Sequence, residues 1–143
     1  MRINPITCNA RCCAIALTSL FAGCGDFISG VLLVISPLRT LPLMGAPGVK
    51  EPALIQFIGV FVACVGASYF LGLLSWMRTG SQSRLRVIWE MTILFRIAAG
   101  GFVAWQIGDG HFAWAWASVP ATDFTWALVQ MSFLRLGFFE SEL

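Results

Sequence analysis

The chain has 143 residues, of which 58% are hydrophobic and 11% are charged, with a formal net charge of +2. A soluble globular domain carries about 25% charged residues, so this composition excludes an ordinary soluble protein. The small net charge, with no basic stretch outside the apolar segments, also argues against a nucleic-acid partner. The sequence predicts an all-α integral membrane protein with one domain over residues 1–143 and membrane lipids as partners.

Proline, glycine and charged residues divide the chain into four apolar segments. Each approaches or exceeds the about 20 residues that a helix needs to cross a bilayer. The predicted spans are 14–36, 54–77, 85–107 and 121–139, and the segment 111–118 is expected to lie along the membrane interface. Together they predict a four-helix bundle.

The distribution of basic residues predicts the orientation of this bundle. Arg39 and Lys50 fall on one side. The other side carries Arg2, Arg11, Arg78, Arg84, Arg86 and Arg135. Because cytoplasmic loops are enriched in arginine and lysine, both termini are expected in the cytoplasm, with the protein in a bacterial inner membrane.

The stretch LTSLFAGCG, residues 17–25, offers a different interpretation of the N-terminus. Small residues before Cys24 and upstream arginines are typical of a bacterial lipoprotein signal, in which this cysteine would be lipidated. Phe21 and the continuation of the apolar run to Ile35 favour a membrane span. Lipidation at Cys24, or at Cys12 or Cys13 beside the span, stays open.

Two opposite charges fall at the middle of predicted spans. Asp26 lies in the first span and Arg96 in the third, at similar depth. Charges inside a membrane cost about 2.5–3.5 kcal/mol each on insertion scales and usually pair within the bundle. We therefore expect Asp26 to pair with Arg96. The pair could serve only to fix helix register, or it could form a functional pocket.

Two further groups of polar residues are predicted to lie at matching depths in the membrane. Glu90 and Arg135 should lie near the cytoplasmic ends of the third and fourth spans, which predicts a second buried pair. Asp123, Gln106 and Gln130 are expected to form an outer polar layer. Asp123 could equally be a solvated residue in the first turn of its helix.

His111 is the only histidine and is placed at the outer surface. It could ligate a metal or a pigment, although a solvated side chain explains it as well. The sequence predicts no other metal site and no cofactor, and lipid is the one bound molecule that we expect. No phosphate loop, catalytic triad or metal-spaced acidic cluster is present, so the chain is not expected to be an enzyme.

The first half of the chain resembles small four-span membrane proteins of the DoxX-like type. The resemblance rests on GDFISGVLLVISP (25–37), a proline-bearing outer loop, and FIGVFVACVGASYFLGLL (57–74). An acidic residue expected in the second span of such proteins is missing. Such families include poorly characterised proteins and accessory partners of redox systems, so the resemblance implies little about activity, and no site residue is carried over from it.

The connection 37–53 contains four prolines and almost no charge. Such a stiff apolar loop favours docking against another subunit. The leading prediction is a non-catalytic integral membrane subunit or accessory protein of a larger complex. A small transporter or ligand-binding bundle centred on Asp26 and Arg96 is the alternative. A third is a pigment- or cofactor-holding subunit.

Overall fold

The computed structural model describes residues 10–46 and 51–139, and 87% of these are helical with no strand among them. The all-α class is therefore confirmed. The helices are α1 (Ala10–Ile35), α2 (Pro37–Leu43), α3 (Pro52–Thr79), α4 (Ser83–Gly108) and α5 (Ser118–Arg135), with a short 3₁₀ helix at Trp114–Ala117.

Three of these helices are long and apolar enough to cross a membrane: α1, α3 and α4, of 26, 28 and 26 residues. At about 1.5 Å per residue, each exceeds the about 30 Å of a bilayer's hydrocarbon core. The membrane interpretation is confirmed at this level. Helix α5 is shorter, with 18 residues.

The ends of the helices differ from the predicted spans for local reasons. Helix α1 begins at Ala10, ahead of 14, and α5 ends at Arg135, well before 139. Gly137 adopts a φ of +69°, and the amides of Gly137 and Phe138 donate to the carbonyls of Leu134 and Phe133. This is the Schellman termination that favours glycine just beyond a helix. It turns the chain so that Phe139 is buried.

The proline-rich connection packs against its own chain. Pro37 begins α2, where its missing N–H costs nothing. Leu41 and Ala46 are buried together with Leu33 of α1 and Ile55 of α3. The Ser118 hydroxyl donates to the carbonyl of Met44 at 2.8 Å, which ties this connection to the start of α5.

Helices α1 and α3 approach each other closely through glycines. A Cβ on Gly30 would meet the backbone of Ala63 and lie 2.7 Å from the carbonyl oxygen of Gly59. A Cβ on Gly66 would meet the backbone of Phe27 in the same way. In lipid, where apolar burial gives little drive for association, such contacts between small residues hold helices together.

Helices α1 and α4 run in the same direction and meet through polar side chains. Hydrogen bonds join Cys12 to Gln82, Ser19 to Trp89 and Asp26 to Arg96, and each pair is separated by 70 residues in sequence. A constant separation means that the helices are parallel, and steps of seven residues, about two turns, return to the same face of each helix. We call these three pairs the polar seam.

The glycine contact between α1 and α3 leads to a first prediction. Gly30→Ala should lower the free energy of unfolding by about 1–3 kcal/mol, because the added methyl group collides with backbone. Gly25→Ala is the matched control, since a Cβ there meets nothing within 4 Å. Unfolding in mixed micelles, followed by circular dichroism, compares the two. Equal losses would contradict the close approach.

Candidate functional site

Arg96 lies at the centre of a buried charged cluster. Its side chain is 5% exposed, and it donates from Nη2 to Oδ2 of Asp26 and from Nη1 to Oδ1 of Asp123, the latter at 3.0 Å. Both aspartate side chains are 19% exposed. The structure thus brings Asp26 and Arg96 together and adds Asp123, which the sequence placed in a separate outer layer.

A glycine on α4 allows α5 to approach α4 closely enough for Asp123 to reach Arg96. A Cβ at Gly100, one turn beyond Arg96, would lie 3.3 Å from the Cβ of Asp123 and 3.1 Å from the ring of Phe124. Any larger side chain would push α5 outward. Gly100 therefore allows the carboxylate of Asp123 to reach the guanidinium.

The cluster holds two carboxyl groups and one guanidinium. If both carboxyl groups were ionised, it would carry one excess negative charge in a setting where each charge is costly. Both terminal nitrogens of Arg96 are already bound to aspartates. Of the five N–H groups of this guanidinium, one on each terminal nitrogen is bound to a carboxylate.

A second polar group lies next to this cluster. The Tyr69 hydroxyl donates to Oγ1 of Thr92 at 2.8 Å, and Gln130 Nε2 donates to the Tyr69 oxygen. All three side chains are buried. Thr92 lies one turn before Arg96 on α4, which places this group beside the cluster. Helices α3, α4 and α5 thus share one hydrogen-bonded group beside the ion pairs.

The expected outer layer of Asp123, Gln106 and Gln130 is not formed. Asp123 binds Arg96, whereas Gln130 binds Tyr69 and Thr92. Seven residues separate Asp123 from Gln130, which is about 10 Å along a helix, so the two occupy different levels. Gln106 lies near the end of α4, and its backbone carbonyl accepts from the amides of His111 and Phe112.

The expected pair of Glu90 and Arg135 is also wrong. Glu90 instead accepts from Arg86 at 3.0 Å on the same helix, with both side chains about half exposed. Depth alone suggested the pair. Six residues separate Glu90 from Arg96, which at 3.6 residues per turn places Glu90 on a different face of α4. Arg135 is exposed.

Sequence reasoning missed Ser19, Tyr69, Trp89 and Thr92. Trp89 donates from Nε1 to the Ser19 hydroxyl at 2.9 Å, and both are fully buried. A usable signal existed, because Ser19 and Trp89 lie one heptad before Asp26 and Arg96. Tyr69 had no such signal, since nothing in the sequence fixed the rotation of α3.

The remaining candidate ligands lie apart from this cluster. His111 is exposed in the turn after α4. Residues 10–46 and 51–139 contain no group of three or more His, Cys, Asp or Glu side chains that could hold a metal ion. Cys12 and Cys24 are free thiols.

The chain matches no protein-family model, and no curated protein or solved structure matches it. The DoxX-like resemblance therefore stays a prediction.

The buried ion pairs lead to a second prediction. Arg96→Met should lower the free energy of unfolding by about 3–5 kcal/mol, because two buried carboxyl groups lose their partner. Arg86→Met removes an exposed i,i+4 pair on the same helix and should cost no more than about 0.5 kcal/mol. Thermal and denaturant unfolding in detergent measures both. Similar losses for the two variants would show that the cluster contributes no more than a surface pair.

Proposed function

We propose that this chain is a proton-binding membrane bundle, in the class of small transporters or ligand-binding bundles, without enzymatic activity. The observation that carries the proposal is the second carboxylate on Arg96. Asp26 and Asp123 both bind one guanidinium, at low exposure, between helices.

One proton on this carboxyl pair restores neutrality. With a proton shared between Asp26 and Asp123, the remaining negative charge is balanced by Arg96. Two acids that share a site do not both ionise easily, since each negative charge disfavours the other. The cluster therefore has two states, neutral and singly negative, which differ by one proton.

A proton fits this site better than a larger ligand. A metal cation would need several oxygen ligands, whereas the cluster offers two carboxyl groups whose nearest neighbour is a positive guanidinium. An anion would add negative charge to a guanidinium that already binds two carboxyl groups. A proton needs neither additional ligands nor additional space.

The proposed setting has four spans. Helix α5 is about 27 Å long at about 1.5 Å per residue, close to the hydrocarbon thickness, and Arg135 at its end suits an interface. The excess of arginines near the termini and the 78–86 turn supports cytoplasmic termini and a bacterial inner membrane.

A second function, accessory subunit of a membrane complex, is supported by the outer surface. Leu43 at the end of α2 is 84% exposed and Trp114 is 81% exposed. The hydrogen bond from Ser118 to Met44 joins the two segments that carry them. A stoichiometric partner in mild-detergent purification would favour this role. A protein that purifies without any partner would favour the proton-binding role instead.

The shared proton predicts a strong coupling between the two aspartates. Asp26→Asn and Asp123→Asn should each cost about 0.5–1.5 kcal/mol of unfolding free energy, the value of an ordinary hydrogen bond. Each leaves one carboxylate for Arg96. The double variant leaves a buried arginine unpaired and should cost about 3–5 kcal/mol. Unfolding of all four proteins gives the double-mutant cycle.

Infrared spectroscopy of the same four proteins detects a protonated carboxyl group directly. The wild type at neutral pH should show the carbonyl band of a protonated aspartic acid, and either single asparagine variant should lose it. Additive free energies, or no such band in the wild type, would refute the shared proton.

The proposed orientation predicts the labelling of two turns from outside the cell. In a variant whose five native cysteines are all replaced by alanine, His111→Cys should react with an impermeant maleimide on intact cells, and Ser83→Cys should react only after lysis. Both positions are exposed, so each serves as the control for the other. The reverse pattern would place the termini outside.

A further inference from the structure

Five exposed arginines lie at one end of the bundle, where α1 and α4 begin and α3 and α5 end. We call them the arginine surface, which consists of Arg11, Arg78, Arg84, Arg86 and Arg135. Arg86 pairs with Glu90 on its own helix. The described part of the chain places no carboxylate within 4.0 Å of the other four guanidinium groups. These four charges are therefore available to a partner outside the bundle.

Contacts between the helix ends show that the arginines share one surface. Cys12, next to Arg11, contacts Gln82 in the turn between α3 and α4. The guanidinium of Arg11 lies over the ring of Phe138, with its Cζ 5.7 Å from the ring centre. Phe138 follows the end of α5. The ends of α1, α3, α4 and α5 thus meet on the same side of the bundle.

Distances along the helices place the arginine surface at the depth of lipid headgroups. Arg96 lies at the middle of α4, and Arg86 and Arg84 precede it by ten and twelve residues, which is about 15 and 18 Å. Arg135 lies twelve residues beyond Asp123 on α5, again about 18 Å. Half of the hydrocarbon core is about 15 Å, and the headgroups extend to about 20–22 Å from the centre. With the Arg96 cluster at mid-membrane, these arginines lie in the layer of lipid phosphates.

The opposite end of the bundle has no such excess of positive charge. Its described charged residues are Arg39, Glu51 and Asp109, all exposed, with one excess negative charge. The arginine surface together with Glu90 carries four excess positive charges. The sequence that flanks this end, residues 1–9 and 140–143, adds one arginine and two glutamates, which leaves it positive. Charge complementarity therefore favours an anionic partner at this end alone.

We infer that the arginine surface binds anionic phospholipids through their phosphate groups. A guanidinium is planar and donates to two oxygens of one phosphate at once. Arg78 and Arg84 flank the 80–82 turn, so two such groups stand at neighbouring helix ends. Each basic residue near an anionic membrane surface strengthens the attraction about fivefold. Phospholipids with a net negative charge are therefore bound in preference to zwitterionic ones. This inference is independent of the proposed proton binding.

Native mass spectrometry of the full-length protein tests this preference. The protein is released from mixed micelles that contain equal amounts of phosphatidylglycerol and phosphatidylcholine, and the bound lipids are counted. We expect several-fold more phosphatidylglycerol than phosphatidylcholine on the wild type. A variant with both Arg78→Gln and Arg84→Gln should lose this preference by about fivefold or more. Arg39→Gln removes an exposed arginine at the opposite end and should leave the preference unchanged.

Three results would overturn the inference. One is equal binding of the two lipids by the wild type, which needs no variant. Another is a preference that survives in the double variant, or that Arg39→Gln lowers to the same extent, since net charge alone would then explain it. The third is displacement of the bound lipid by excess inorganic phosphate, which would assign the surface to soluble phosphates. Circular dichroism of each variant checks that these exposed substitutions leave the helices intact.

Discussion

The permanent charge of Arg96 constrains the rest of the bundle. An arginine cannot be neutralised by deprotonation in a protein, so its burial requires acidic partners at the same depth. Asp26 from α1 and Asp123 from α5 supply them. This fixes the level of both helices relative to α4. The same register between α1 and α4 continues in steps of seven residues to the pair of Cys12 and Gln82.

Helix α1 contacts α3 and α4 through two different kinds of interaction. Against α3 it packs through Gly30, Gly59 and Gly66, so that backbone meets backbone. Against α4 it makes side-chain hydrogen bonds instead. Both are means by which helices associate in lipid, where apolar burial gives little drive. The glycine contact is closely fitted, while the polar contact leaves acceptors and donors unpaired.

Sequence reasoning predicted depth well and rotation poorly. Hydropathy placed Asp26 and Arg96 at one level, and the structure pairs them. The same reasoning paired Glu90 with Arg135, although Glu90 faces away from the cluster towards Arg86. It also placed Gln130 with Asp123 because they share a face, ignoring two turns of rise. Rotation depends on contacts such as Gly100 with Phe124, which no single helix reveals.

A purely structural lock and a proton site would place different groups around Arg96. A lock needs one carboxylate and complete hydrogen bonding. This cluster has two carboxylates, and Nε of Arg96 has no partner in the described part of the chain. Apolar cores border it on both sides, one with Ile15 and Trp89 and the other with Leu33. An excess carboxyl group enclosed in this way suits a site that gains and releases a proton.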